Sequence, residues 1–206
     1  MTFDTSMLYS MVYVSDDNRT LSTHSSTKTP NSPDGVNQLL KYQGTVANIC
    51  LENNTKIYYE VTYEYEILRS LSERALVLEV GVAEPDLIDN HHKASSKKVG
   101  GWSFALAECG TYDSICLWGR HLEDVYVKET VSNDTKGTNA NGKFAFYIDR
   151  IENTFSILWN SEIFYTFVGV DSNTTLCPVF AVYNNAWLKA SLTIQNARNF
   201  TNLHPF

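Results

Sequence analysis

Basic residues are in short supply: 16 Lys and Arg stand against 23 Asp and Glu, a formal net charge of −7. A chain so charged lacks the basic footprint of a nucleic-acid binder. No apolar run approaches the ~20 residues that cross a bilayer as a helix, so no membrane partner is expected. Cysteine is sparse, with Cys50, Cys109, Cys116 and Cys177 and no Cys-x-x-Cys pair. Such spacing excludes a RING or a B-box. Disulfide frameworks belong mostly to short secreted chains, so all four are expected as buried free thiols. Met1 to Ser10 carries neither a basic n-region nor an apolar run, so no secretory signal and a cytoplasmic location are expected. The sequons at Asn18, Asn53, Asn133, Asn173 and Asn199 then mark surface loops and not glycans. Internal repeats, heptads, Gly-x-Ser-x-Gly elbows and Gly-rich phosphate loops are also missing.

What the chain does have is aromatic residues at strand spacing. Twelve Tyr and ten Phe suit half-buried pleated surfaces and argue against disorder. Ile57–Ile67 alternates over eleven residues, with Ile57, Tyr59, Val61, Tyr63, Tyr65 and Ile67 on one face. Glu60, Thr62, Glu64 and Glu66 share the other, the pattern of a strand with one wet side. Arg74–Glu84 alternates likewise through Leu76, Leu78, Val80 and Val82. These two are expected as antiparallel neighbours joined through Leu68–Glu73, with Val61, Tyr63, Leu78 and Val80 facing a shared core. Ten further strands are expected, at Met7–Val14, Arg19–Ser22, Thr45–Cys50, Trp102–Ala107, Ser114–Leu117, Val125–Lys128, Lys143–Asp149, Thr154–Trp159, Val179–Tyr183 and Leu188–Gln195. Many short strands with turn signals between them indicate a sandwich or barrel.

Turns are expected at Asp16-Asp17-Asn18, Asn139–Gly142 and Glu152-Asn153. Helix is confined to a turn at Leu68–Glu73 and a 3₁₀ turn at Glu162–Tyr165. Thr23–Asn37, Pro85–Val99 and Lys128–Gly142 are polar and short of large apolar residues, so they are expected as long, mobile loops. Trp102, Phe146, Ile148, Phe155 and Phe180 are expected in the core. Trp118 and Trp187, at strand ends, suit a core plug or an exposed anchor equally well.

Reactive chemistry is thin. Glu60, Glu64 and Glu66 lie about 7 Å apart along one face, near the separation of inverting glycosidase carboxylates. A solvated polar face with threonine between the acids accounts for them better. His91-His92 would point opposite ways on an extended chain and makes a poor chelate. No cofactor, metal or catalytic residue is expected, and the chain is not expected to be an enzyme.

Between Gly142 and Ile194 several short motifs follow in a fixed order: Lys143–Asp149, Tyr165-Thr-Phe167, Leu176-Cys-Pro-Val-Phe180 and Leu192-Thr-Ile194. Upstream stand Tyr58-Tyr59-Glu60-Val61, Gly81-Val82-Ala83 and Trp102 after Gly100-Gly101. In this order they resemble a SPRY domain, of the PRY-SPRY type found in tripartite-motif proteins. Tyr13 to Leu21 is similar to the PRY segment. Tyr59 replaces the family's tryptophan, and Ala145 and Asn153 stand where glycines are usual. The likeness implies one domain over residues 1–206. Residues 1–38 would be its PRY-like segment, 39–195 its SPRY-like segment and 196–206 a tail.

The resemblance implies an all-β fold, a two-sheet antiparallel β-sandwich of the concanavalin-like jelly-roll kind. It also implies a protein-interaction module that supplies target recognition to a larger ubiquitin ligase or scaffold. The partner would be a protein or peptide held on loops at one end. Carried onto this chain, the partner-binding residues are Arg69, Glu108, Tyr112, Tyr183, Asn184 and Asn185. Tyr112 and Tyr183 would serve as anchors, the asparagines would pair a peptide backbone, and Arg69 and Glu108 would be rim charges. The family's aromatic anchors often lie on the strand opening at Trp102, where this chain has Ala105 and Ala107. The alternative from another class is a carbohydrate-binding or glycan-hydrolysing jelly roll, whose signature residues are absent. A purely structural domain contributing oligomer contacts is the third.

Overall fold

The computed structural model describes residues 1–25, 38–52, 54–110, 114–170, 175–183 and 186–200. Among them fourteen strands form two antiparallel seven-stranded sheets. Sheet one runs β1 (Phe3–Leu8), β4 (Gly44–Ala47), β13 (Cys177–Val182), β6 (Leu76–Ala83), β7 (Trp102–Glu108), β8 (Ser114–His121), β9 (Asp124–Asn133). Sheet two runs β12 (Glu162–Val168), β11 (Thr154–Trp159), β10 (Asn139–Asp149), β5 (Lys56–Ile67), β14 (Leu188–Phe200), β3 (Thr20–Ser22), β2 (Tyr13–Val14).

The alternation of β5 decides its place. Its six apolar positions are buried, while Glu64 faces water. Val61 lies opposite Phe144 of β10 on one side and Ile194 of β14 on the other. Both sheets feed one aromatic core. Tyr59 stacks on Phe146 with centroids 5.3 Å apart, and Phe104 meets Phe155 edge-on at 5.2 Å. Trp102, Phe146, Ile148, Phe155 and Phe180 are all buried, as the sequence predicts. The turn after Asp16 is also found: Asn18 takes a positive φ, and its amide donates to the Ser15 carbonyl.

Two expectations about connectivity fail. β5 and β6 are not neighbours: β5 lies between β10 and β14, and β6 between β13 and β7 in the other sheet. The link between them crosses the sandwich. Val61, Tyr63, Leu78 and Val80 still share the core, because they meet across it. Residues 162–165 belong to strand β12 and form no 3₁₀ turn.

The loop expectations change more. Pro85–Val99 opens with a 3₁₀ helix, Pro85–Asn90, and buries Ile88, Ala94 and Val99 against the outer face of sheet one. Asp89 fastens it: its carboxylate accepts the amides of Leu40, Lys41 and Tyr42 at 2.7 to 3.1 Å. A second apolar cluster results, joining Ile88, Ala94 and Tyr42 to Ala105, Ala107, Val179 and Ala181. Consequently every residue of β6, β7 and β13 is buried on both faces. Lys128–Gly142 is mostly strand, since β9 runs to Asn133 and β10 starts at Asn139. Of Thr23–Asn37, residues 26–37 lie outside the described residues.

The cysteines are not free. Cys50 pairs with Cys177, and Cys109 with Cys116. Cys50 follows β4 and Cys177 opens β13, its neighbour in the sheet, while Cys109, just past β7, bonds diagonally to Cys116, which lies opposite Ala107 in the β7–β8 hairpin. Topology brings together residues whose linear spacing shows no motif. Disulfides persist in oxidising compartments, which bears against the cytoplasmic expectation. Among the described residues no helix is long and apolar enough to cross a membrane.

Candidate functional site

The outer face of sheet one is incompletely covered. Past the edge of the 85–99 segment, β8 and β9 leave a groove of about 480 Å³, a volume suited to a ligand side chain or short peptide. It is lined by Arg74, His91, His92, Lys93, Trp118, Arg120, Glu123 and Val125. Trp118 lies opposite Ala105 in the β7–β8 ladder, so the large side chain stands beside a small one on the same face.

Each wall has a local cause. β8 and β9 are joined by Leu122-Glu123, both at positive φ, as a two-residue hairpin of the primed type needs. The Glu123 amide donates to the Ser95 carbonyl at 2.7 Å, which ties this turn to the covering segment. On the far side Arg74 also takes a positive φ, an unusual state for a residue with a long side chain. Its amide donates to the Glu108 carboxylate at 2.6 Å, and Gly110 donates to the same oxygen at 2.7 Å.

The floor is cationic. The Arg120 guanidinium lies 4.2 Å from the Trp118 ring centroid and the Lys128 ammonium 4.5 Å from it. Lys128 also donates to the Cys109 carbonyl at 2.6 Å, joining β9 to the disulfide-closed hairpin. Three cations line the groove against one carboxylate, Glu123. His91 and His92 add no charge near neutrality. Desolvation is the main cause that pushes both below the ordinary histidine value, and the Lys93 charge adds to it.

Behind the floor lies a buried polar knot. Glu79, with no exposed surface, accepts hydrogen bonds from Ser103 Oγ at 2.6 Å, the Ala94 amide at 3.0 Å and the Tyr183 hydroxyl at 2.9 Å. The Tyr183 hydroxyl also lies 2.7 Å from the His92 carbonyl. With one proton, it donates to one of the two at a time. Burial, and then the Glu79 charge, push the Tyr183 and Tyr42 phenols far above their ordinary value.

No family model matches the sequence, and no curated protein matches it either. Solved structures do. The TRIM65 PSpry domain superposes with a TM-score of 0.60 at 15% identity, over 95% of this chain and 91% of that one. The SPRY domain of human HERC1 gives 0.50 at 16% identity, over 93% of this chain and 96% of that one. The fold is that of a PRY-SPRY domain. A Bauhinia forficata lectin in complex with GalNAc has the same two-sheet jelly roll, with a TM-score of 0.59 at 10% identity over 93% and 92% of the two chains.

Within this PRY-SPRY sandwich the six expected partner-binding residues fare differently. Arg69 is exposed, and its amide donates to the Trp187 carbonyl at 3.0 Å, beside the turn that follows Tyr183. Glu108 is buried and serves as the clamp under Arg74, not as a rim charge. Tyr183 is only 2% exposed and is committed to the knot around Glu79, so it is no surface anchor. Tyr112, Asn184 and Asn185 lie outside the described residues. Tyr183 is buried because Cys177, Val179, Ala181 and Tyr183 share the outer face of β13, and the 85–99 segment covers that face.

Trp118 resolves as a plug, 5% exposed, under two cations. Arg120 and Lys93 are missed by the sequence reading. The one signal that pointed there is the small-residue face of β7, Ser103, Ala105 and Ala107, which implies that something covers it. The outer face of sheet two carries Glu60, Glu64 and Glu66. Glu60 is held below the ordinary carboxylate range first by the Asn196 amide. Tyr58 and Lys143 also donate to Glu60, Lys189 pairs with Glu66 and Ser191 donates to Glu64. Its troughs, lined by residues such as Thr20, Thr62, Ser191 and Thr193, are polar. Tyr63 and Tyr65, which line them, are buried. Among the described residues no cluster of His, Cys, Asp and Glu is placed to hold a metal.

Proposed function

We propose that the chain is a protein-interaction module that takes a protein or peptide partner in the groove between the 91–93 segment and the β8–β9 hairpin. Exposed Arg69 is proposed as a further partner contact, and Tyr112, Asn184 and Asn185 are proposed as others on the sequence argument alone. One observation carries this reading. A positively charged groove with an apolar lip, Val125 at 46% exposed, stands on a chain of net charge −7. Fixed walls favour binding, because little ordering is left to be done on association. No nucleophile–base pair accompanies it among the described residues, so the module is proposed as non-catalytic.

The double variant Lys93→Glu with Val125→Asp changes two rim side chains and leaves the buried knot alone. Cross-linked partner capture should fall strongly for it, and should be unchanged for Glu64→Lys on the opposite sheet. Equal loss with Glu64→Lys, or none with the rim variant, would move the site elsewhere. Glycan binding abolished by the same Glu64→Lys variant would favour the carbohydrate reading, for which the polar trough of sheet two is the candidate.

Target recognition within a larger ubiquitin ligase or scaffold is proposed as the role of this module. It requires a reducing compartment. Rapid alkylation of the protein in intact cells distinguishes the cases: four labelled thiols support that role. Two protected disulfides would place the module outside the cytoplasm, and the role would then be of another kind.

A further inference from the structure

Among the described residues the deepest charge in the groove has neither a hydrogen-bonded nor an ion-paired partner. Arg120 is 6% exposed, yet among the described residues it makes no side-chain hydrogen bond and no ion pair, and its Nε is buried without an acceptor. Leaving a guanidinium so poorly satisfied is costly. Glu79, a buried carboxylate whose charge is felt at Arg120, acts through its field, its oxygens being occupied by Ser103, Ala94 and Tyr183. The Trp118 ring, 4.2 Å from the guanidinium carbon, holds the cation in place by a cation–π contact. A held, planar fork of donors lining a groove is built to receive a planar pair of oxygens.

We propose that Arg120 receives the carboxylate of an Asp or Glu side chain from the partner peptide, with Lys93 and Arg74 as rim cations. This rests on the reading of the groove as a peptide site. Two features favour a carboxylate over a phosphate. Glu123 lines the same groove and repels a dianion more than a monoanion. The two histidines, being neutral, do not supply the extra charge that a dianion needs. Val125 at the lip then meets an apolar neighbour of the acidic residue.

Random peptides displayed on phage are selected against the 206-residue chain, and the best is synthesised and titrated by calorimetry. The selected peptides should share one acidic residue next to an apolar one. Changing that acid to its amide should weaken binding to the wild-type protein about thirtyfold or more, as loss of a buried charge partner does. Arg120→Gln should lose the same factor, and the amide peptide should then bind wild type and variant alike. Arg120→Lys keeps the charge without the fork and should recover only a fraction of the affinity. The peptide-side change needs no alteration of the protein, so a poorly folded Arg120 variant leaves the test intact. Groove-bound peptides whose acid-to-amide change costs less than about threefold would overturn the carboxylate assignment while leaving the interaction module standing. A phosphoserine form binding better than the acid would overturn it in favour of a phosphopeptide. Peptides that ignore the groove would overturn the module reading as well.

Discussion

Replacing Glu79 by alanine should unpin the segment that covers sheet one. In the folded protein the carboxylate is fully buried and accepts from Ser103 Oγ, the Ala94 amide and the Tyr183 hydroxyl. A hydrogen bond to a charged group contributes about 1.5–3 kcal/mol net. Tyr183 keeps the His92 carbonyl as a second acceptor, so two bonds are lost outright. Removing the carboxylate also removes its own desolvation cost, but it strips Arg120 of a negative charge whose field it feels. The net loss should be about 3–5 kcal/mol, or about 10 °C in midpoint for a chain of this size. Urea and thermal unfolding at neutral pH read the global loss. Amide exchange at Ala94 reads the local one and should become fast. Glu79→Gln keeps one acceptor oxygen and should lose only about 1–2 kcal/mol. A Glu79→Ala protein within about 1 kcal/mol of wild type, with Ala94 still protected, would refute the assignment of this carboxylate as the pin.

Three further outcomes are expected. Tyr183→Ala should cost about 3–5 kcal/mol of stability by cavity formation, measured by urea unfolding, because the ring is a plug and not a surface anchor. Removing the Cys50–Cys177 pair, 127 residues apart, should cost about 4–5 kcal/mol, and removing Cys109–Cys116, seven apart, about 2–3, if loop-closure entropy dominates. Comparing the two double-serine variants checks the order. Asp149, buried beside Lys56 at 2.7 Å, experiences an upward push from burial that is outweighed by Lys56 and by the Glu152 and Ile151 amides, so its carboxyl sits below the ordinary range. Its contribution is therefore complete above about pH 4 and is lost as pH falls through the lowered value. The urea midpoint of wild type should drop on acidification, and Asp149→Asn should flatten that limb.

Where one face of a strand is wet, the linear pattern is decisive, and β5 is found almost as its alternation requires. The pairing of β5 with β6 was not legible. Every strand of a sandwich turns an apolar face to the same core, so matched alternation cannot separate neighbours in a sheet from partners across it. A short polar connection cannot either. β6 did carry a different signal: apart from Glu79, Leu76-Val-Leu-Glu-Val-Gly-Val-Ala83 is apolar or small on both faces, which marks a strand covered on both sides. With Ser103, Ala105 and Ala107 on β7 it asks for a cover, and 85–99, a mostly polar segment, supplies it by burying Ile88, Ala94 and Val99. Composition hid that role. The same cover buries Tyr183 and leaves the groove at its edge, so the candidate site depended on the element hardest to read. The disulfides depend on strand order, which no spacing rule encodes.

Hydrogen–deuterium exchange on the chain bound to its selected peptide tests the location of binding most directly, with no mutation required. Protection should concentrate on residues 91–93 and 118–125, spreading to the loop at Arg69, while the sheet face at Thr62, Glu64 and Ser191 exchanges as in the free protein. Protection confined to that opposite face, or to the edge strand β12, with 118–125 unchanged would contradict the groove as the binding site.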